Sequence, residues 1–358
     1  MNLAMWLEQW RTETKDEPNR RRLLTLFDDA YQVREDDPDA AANRYAEGKE
    51  LADRLGEAWW SLLFDKMRLD AKIHYQRDLR NVLEAAAACV REARRNVYAK
   101  FPLRWGTHDT LIAAYLGIDA EGYHEAISEE LELLQKEIPP EPGADRYLYL
   151  ARCREFEMER LRWEPAQAAG LRELDLAGDD PQEAQGRHFA AFTYAGLCQI
   201  AYQRRQWAKL EEFANEGEPI ARSAEHVAVL AEILAWRAVS ERYRDQREAG
   251  TRFLRDAAGK QNALQTPPRP GYFAARVAYY EVGEQPAETL HAYDEALASV
   301  SDHGQLLREC RLRVERLRVL VKLDRSLDDD LELARAAAGK LRFPEPMNRT
   351  IEAIEAGE

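Results

Sequence analysis

The sequence predicts an all-α protein, an α-solenoid of about eight antiparallel helix pairs with a capping helix at each end. Three observations lead to this fold class. Apolar residues recur at helical spacing in almost every long segment, and strand-like alternation rich in Val, Ile and Thr is absent over any useful length. Polar or glycine-containing turns also recur at an even spacing along the chain.

The segment Leu306–Leu323 illustrates the helical pattern. Its apolar stripe consists of Leu306, Cys310, Val314, Leu317 and Val321. These positions share one face of a helix with 3.6 residues per turn, and charged side chains such as those of Glu315 and Lys322 fill the positions between them. We therefore expect one face to pack and the other to meet solvent.

The predicted turns give the period of the repeat. They lie near Asp37, Asp78, Gly117, Trp163, Arg205, Asp245, Gly283 and Asp324. The first and the last are 287 residues and seven steps apart, which gives a period of about 41 residues. This value lies between the 34 residues of tetratricopeptide repeats and the 40–47 of HEAT or armadillo repeats, so the period alone leaves both open.

We divide the chain into an N-terminal capping helix (1–17), a repeat array (18–340) and a C-terminal cap (341–358). The first cap is predicted from one apolar stripe, Leu3, Trp6, Leu7 and Trp10. The second is predicted from Leu341, Phe343 and Ile351. A terminal repeat lacks a neighbour on one side, so solenoids need such covers.

Composition excludes several classes of function. The 358 residues contain 51 Lys and Arg against 65 Asp and Glu, a net charge of −14. Nucleic acid and anionic membranes both require a basic footprint, so neither is expected as a partner. The four cysteines form no Cys-x-x-Cys motif, and no run of 18 apolar residues occurs. We expect no secretory leader, because the first residues lack a basic segment followed by an apolar one. We expect a cytoplasmic protein with reduced thiols.

The search for catalytic chemistry predicts no enzyme. The phosphate-binding, dinucleotide-binding and nucleophile-elbow glycine motifs are absent. Two Glu-x-x-His pairs occur, Glu121 with His124 and Glu288 with His291. They lie 167 residues apart, about four repeats along an array, and would not share a metal ion. We therefore predict no catalytic residue, no metal and no cofactor.

Local residues favour one kind of repeat. Gln206–Ala214 resembles the second half of a tetratricopeptide repeat, in which an aromatic residue follows the turn and small residues line the second helix. Tyr194–Cys198 matches the aromatic-x-x-Leu-small pattern of that family, and Gly283–Glu288 and Gly122–Ala126 look like the same turn. The resemblance covers most of residues 18–340 and is most similar to the long-repeat arrays of bacterial regulators and scaffolds. A HEAT-like array remains the alternative.

The resemblance implies a right-handed superhelix whose concave groove binds a partner protein or peptide. The expected function is that of a non-enzymatic scaffold or adaptor. The alternatives are a receptor for a short signalling peptide and, third, an enzyme whose site the sequence does not reveal. Matching the groove positions of the family repeat by repeat gives the candidate partner-binding residues: Gln199, Tyr202, Tyr272, Arg276, Tyr279, Glu315 and Lys322. Tyr and Arg are enriched at binding hot spots.

Overall fold

The computed structural model describes residues 3–139, 143–178, 183–301 and 303–356. Within these ranges the chain forms eighteen α-helices and no strand, and consecutive helices pack in adjacent pairs. The all-α prediction is therefore confirmed. The chain divides into two compact units: residues 1–115 with 265–267, and residues 116–264 with 268–358.

Unit 1 is formed by the N-terminal helices. Their bounds are α1 (Leu3–Glu13), α2 (Pro18–Val33), α3 (Pro38–Leu55), α4 (Ala58–Asp70), a π-helix (Ala71–Gln76), α5 (Val82–Ala93), a 3₁₀ turn (Asn96–Tyr98) and most of α6 (Arg104–Asp119). The indole rings of Trp6 and Trp10 on α1 are buried against Trp60, with ring centroids 4.9 Å and 5.4 Å away. The apolar stripe predicted for α1 therefore packs on the unit's core.

Unit 2 contains the remaining helices. They are α7 (His124–Glu137), α8 (Ala144–Glu159), α9 (Trp163–Gly178), α10 (Glu183–Gln203), α11 (Trp207–Ser223), α12 (Val227–Tyr243), α13 (Arg247–Asn262), α14 (Pro270–Val282), α15 (Pro286–Val300), α16 (Leu306–Lys322), α17 (Asp328–Ala338) and α18 (Glu345–Glu355). Helix α12 belongs to an extended apolar core and is buried almost continuously from Val229 to Ser240.

Six turns of unit 2 share one geometry. In each, a residue other than glycine adopts the left-handed conformation: Leu161, Arg205, Glu225, Asp245, Glu284 and Asp324. Its backbone N–H donates to the carbonyl three residues earlier, and the next N–H donates to the carbonyl five residues before it. This is the Schellman arrangement that ends a helix. Glu225 follows α11, whereas the other five follow α8, α10, α12, α14 and α16 and are spaced 44, 40, 39 and 40 apart, so the predicted period holds at the ends of these alternate helices.

The agreement between prediction and structure differs among the remaining turns. Asp37 caps the start of α3, where its side chain accepts a hydrogen bond from the Ala40 N–H, and Asp78 lies between the π-helix and α5. The turn predicted near Gly117 lies a few residues further along the chain, because α6 continues to Asp119. The turn follows at 120–123, where the Asp119 carboxylate accepts from the Gly122 N–H at 2.9 Å. A glycine inside a helix is a tolerable cost of about 1 kcal/mol, and here it does not end the helix.

The residues of the predicted C-terminal cap differ in burial. Leu341, Ile351 and Ile354 are buried, whereas Phe343 is 54% exposed. The adjacent Arg342 N–H donates to the Asp119 carboxylate at 3.0 Å, 223 residues away in sequence. Residues 1, 2, 357 and 358 of the two predicted caps lie outside the described residues.

A buried ion pair fixes three helices of unit 2 to one another. The Arg154 guanidinium on α8 donates to the Glu173 carboxylate on α9 at 3.1 Å, and both side chains are almost inaccessible. Gly196 on α10 makes room for this arginine, because a Cβ at that position would lie 2.0 Å from Arg154 Nη1. Two small residues of the Tyr194–Cys198 pattern therefore accommodate neighbouring helices, namely Gly196 and the buried Cys198.

Candidate functional site

Three of the seven predicted residues gather around a glutamate that the sequence analysis did not select. The Tyr202 hydroxyl donates to Glu281 Oε2 at 3.0 Å, and the Tyr293 hydroxyl donates to Glu281 Oε1 at 3.4 Å. Glu315 and Lys322 on α16 are the charged neighbours that act on the same carboxylate. We call these five residues, from α10, α14, α15 and α16, the Glu281 recess.

The repeat geometry brings Tyr202 and Glu281 together. Tyr202 stands three residues before the left-handed Arg205, and Glu281 stands three residues before the left-handed Glu284. The two side chains therefore occupy equivalent positions on the last turns of α10 and α14, which contact each other directly although α12 also lies against both. The equivalent residue of α12 is Arg242, whose guanidinium donates to the Gly283 carbonyl.

Neighbouring helices modify the electrostatics of the exposed Glu281 carboxyl. Its side chain is reachable by solvent, yet surrounding protein removes enough solvation to raise the pKa of its carboxyl. The Tyr202 hydrogen bond and the Lys322 ammonium oppose this rise, and the Glu315 carboxylate adds to it. Burial, followed by the proximity of Glu281, raises the pKa of both Tyr202 and Tyr293, so both hydroxyls remain protonated donors.

Glu281 differs from other carboxylates of unit 2 that face a neighbouring helix. Glu232 pairs with Arg269 at 2.6 Å, and Glu159 at the end of α8 pairs with Arg308 and Arg311 of α16 at 3.1 Å and 2.8 Å. Within the described ranges, no lysine or arginine nitrogen lies within ion-pair distance of the Glu281 carboxylate. Two tyrosine hydroxyls are its hydrogen-bond partners there. Its negative charge is solvated but not neutralised in direct contact.

Aromatic rings border the Glu281 recess on the α10 side. The Tyr202 ring lies 5.8 Å from the Trp207 ring and 5.5 Å from the Trp236 ring. Trp207 in turn stacks on Tyr243, with the centroids 3.9 Å apart and the planes at 9°. Tyr243 is 50% exposed. This aromatic flank, Tyr202, Trp207 and Tyr243, therefore continues from the recess to solvent.

Two other predicted residues are part of the protein core. Tyr272 and Tyr279 are 3% and 5% exposed. The Tyr279 hydroxyl lies 3.1 Å from the Thr251 hydroxyl on α13, and its ring packs beneath Arg242. Both tyrosines pack within the central apolar cluster, so their burial argues against direct contact with a partner.

Arg276 is engaged in a repeated ion pair. Its guanidinium contacts Glu295 on α15 at 2.6 Å. Arg237 and Arg316 stand at the equivalent position of their own helices, eight residues before the left-handed residue, and pair with Glu218 and Asp294. The position therefore joins helices by charge. Gln199, the remaining predicted residue, is half-buried on α10, one turn before Tyr202.

Glu281 and Tyr293 are the residues that sequence reasoning missed. The distance to the turn could have revealed Glu281, because it matches that of Tyr202 in a repeat two pairs earlier. No comparable signal marks Tyr293, which lies in the middle of α15 and reaches Glu281 only through the fold.

Comparison with known proteins adds no family to this description. No family model matches the chain, and no curated protein matches it. None of the helices given above combines the length and the apolar composition that crossing a bilayer requires. The described residues also hold no group of three or more metal-ligating side chains.

Proposed function

We propose that the chain is a non-enzymatic scaffold or adaptor that binds a partner polypeptide at the Glu281 recess. We assign unit 2 to a tetratricopeptide-like, right-handed array as part of the same proposal. The supporting observation is the accessible but desolvated Glu281 carboxylate, which is surrounded by side chains from three neighbouring helices. A recess that is polar, aromatic and open to solvent suits a peptide better than a flat surface does.

The chemistry of the residues favours binding. The recess offers a carboxylate, an ammonium and tyrosine hydroxyls beside an aromatic flank, which is a common composition for protein-binding surfaces. The thiols of Cys89, Cys198 and Cys310 have pKa values raised by burial, which makes them poor nucleophiles. We assign this activity to the cytoplasm, because the four cysteines are unpaired, as is usual in reducing compartments.

Selection from a random peptide library tests this function. A phage-displayed dodecapeptide library is selected on the immobilised full chain, and the retained peptides are synthesised and titrated by fluorescence anisotropy. We expect Tyr202→Ala to weaken binding by about tenfold or more, since truncating an aromatic anchor typically costs 1–2 kcal/mol or more. The matched control is Arg276→Gln, which removes a charge of α14 that pairs with Glu295 and should leave affinity unchanged.

Two results would overturn the proposal. One is a library that yields no binder to the folded chain. The other is a set of binders whose affinity falls with Arg276→Gln and not with Tyr202→Ala. Circular dichroism of each variant separates lost binding from lost folding.

A further inference from the structure

We infer that the Glu281 recess receives a cationic side chain, of lysine or arginine, from the partner polypeptide. This inference rests on the proposed function and names the chemistry that its site recognises. It starts from the Glu281 carboxylate, which has no direct cationic partner among the residues that the structure describes. Each carboxylate oxygen of Glu281 accepts one tyrosine hydrogen bond, at 3.0 Å and 3.4 Å. A carboxylate has about four lone-pair sites, so acceptor capacity remains for a bound donor.

The ends of four helices add negative potential at the same place. Tyr202, Tyr243, Glu281 and Lys322 lie at the carboxyl-terminal turns of α10, α12, α14 and α16. The ring contacts of Trp207 and the Tyr202–Glu281 hydrogen bond connect the first three of these turns, and Lys322 acts on Glu281 from the fourth. Each helix carboxyl end carries a partial negative charge of about half an electron. A cation is stabilised there and an anion is not.

The aromatic flank suits the same ligand. The faces of Trp and Tyr rings attract lysine and arginine through their quadrupoles, and the contact strengthens when water is removed. Tyr202 is both a ring of this flank and the donor to Glu281. One aliphatic stem and its charged head could therefore contact the rings and the carboxylate together.

The cations already near the site do not bind the Glu281 carboxylate. Arg242 on α12 instead donates to the Gly283 carbonyl at the end of α14, at 3.3 Å. Lys322 is exposed at the end of α16, and its charge lowers the pKa of Glu281 without overcoming the effect of burial. Arg205, which acts on Tyr202, is exposed in the turn after α10. Lys322 instead acts as a competing charge, so its removal should strengthen the binding of a cationic side chain. An acidic ligand would show the opposite response.

A mutant cycle between protein and peptide tests this. Each lysine of a selected dodecapeptide is replaced by norleucine and each arginine by citrulline, and every peptide is titrated against wild type and Glu281→Gln. We expect one cationic residue of the peptide to contact Glu281. Its replacement should weaken binding to wild type about tenfold, and should weaken binding to Glu281→Gln less than twofold. Lys322→Met should tighten binding of the original peptide. Glu288→Gln, an exposed carboxylate on α15, is the matched control and should bind as wild type does.

The outcomes distinguish this inference from the proposed function. Peptides that bind at the recess with equal affinity for wild type and Glu281→Gln would overturn the cation inference and leave polypeptide binding intact. If the selection yields acidic peptides, and Lys322→Met weakens their binding, the cation inference is overturned in favour of anion recognition. Absence of any binder would overturn both. Thermal melts of the three variants confirm that each titration uses folded protein.

Discussion

A 3.0 Å hydrogen bond joins Tyr202 to Glu281, two residues that are 79 positions apart in sequence. They occupy the same position in helices two pairs apart, three residues before a left-handed turn residue. The contact shows that equivalent side chains of α10 and α14 approach each other directly. It also gives an accessible carboxylate a hydrogen-bond donor. The pKa of the Glu281 carboxyl therefore reports whether this contact is made.

Tyr202→Phe should raise the pKa of Glu281 further. The hydroxyl stabilises the charged carboxylate, and its removal leaves the effect of burial less opposed. Tyr293→Phe should have a smaller effect in the same direction, because its hydrogen bond is longer, at 3.4 Å. Carbon-detected NMR titration of the Glu281 carboxyl measures both. Tyr243→Phe is the control, and a shift there equal to that of Tyr202→Phe would contradict the assignment.

Glu281→Gln should change the pH dependence of stability with a definite sign. Burial raises the pKa of Glu281 above its ordinary value of 4.5, so the folded chain holds this proton more tightly than the unfolded chain does. This difference stabilises the folded chain fully at a pH below the pKa that Glu281 has in the unfolded state. The stabilisation is lost as the pH rises through the pKa that Glu281 has in the folded state. Urea unfolding should therefore show the variant gaining stability relative to wild type between pH 4 and pH 7. If the variant instead lost stability relative to wild type over that interval, folding would lower the pKa of Glu281, contrary to our assignment.

Leu161→Gly should stabilise the chain by about 1 kcal/mol, because a left-handed conformation strains a residue with a Cβ. Leu161 has φ of 56° and is 56% exposed, so little packing is lost with its side chain. Leu161→Ala retains the Cβ and should give no such gain. Denaturant unfolding measures both, and equal effects of the two substitutions would mean that the turn is not strained.

Gly196→Ala should destabilise the chain by about 2 kcal/mol or more. The added methyl group would lie 2.0 Å from the buried Arg154 guanidinium and would disturb its pair with Glu173. Gly259 on α13 provides the matched control, because a Cβ there meets nothing within 4 Å. Gly259→Ala should stabilise by about 0.5–1 kcal/mol through helix propensity. A harmless Gly196→Ala would show that α8 and α10 do not approach so closely.

Tyr279→Ala should cost about 3–5 kcal/mol, as removal of a buried aromatic side chain usually does. The residue is 5% exposed and its hydroxyl contacts Thr251. Tyr243→Ala, at an exposed stacked ring, should cost about 1 kcal/mol. Chemical denaturation compares the two. A small effect of Tyr279→Ala would restore this residue as a candidate for partner contact.

The sequence predicts the turns of unit 2 well, because each requires a local departure from helical geometry. Arg205, Asp245 and Asp324 are themselves the left-handed residues, and Gly283 precedes one. Gly117 lies three residues before its turn, because a glycine permits a turn without requiring it and α6 continues to Asp119. Turn chemistry is thus local enough to be read from sequence.

The faces of the helices are harder to predict. A shift of one residue rotates a side chain by about 100° around the helix axis. A register predicted from sequence is not precise enough to distinguish Glu281, which faces the recess, from Tyr279, which faces the core. The contact of Tyr293 with Glu281 depends on how α14 and α15 pack, and no local pattern encodes it. The candidate site therefore required the fold, even though three of its five residues were predicted.

Photo-crosslinking locates a bound peptide most directly. p-Benzoylphenylalanine is introduced in place of Lys322, an exposed member of the recess, and in a second protein in place of Glu288, an exposed residue of the first turn of α15. A selected peptide should crosslink strongly from position 322 and weakly from 288, and unlabelled peptide should abolish the product. Crosslinking from 288 alone, or equally from both positions, would contradict binding at the Glu281 recess.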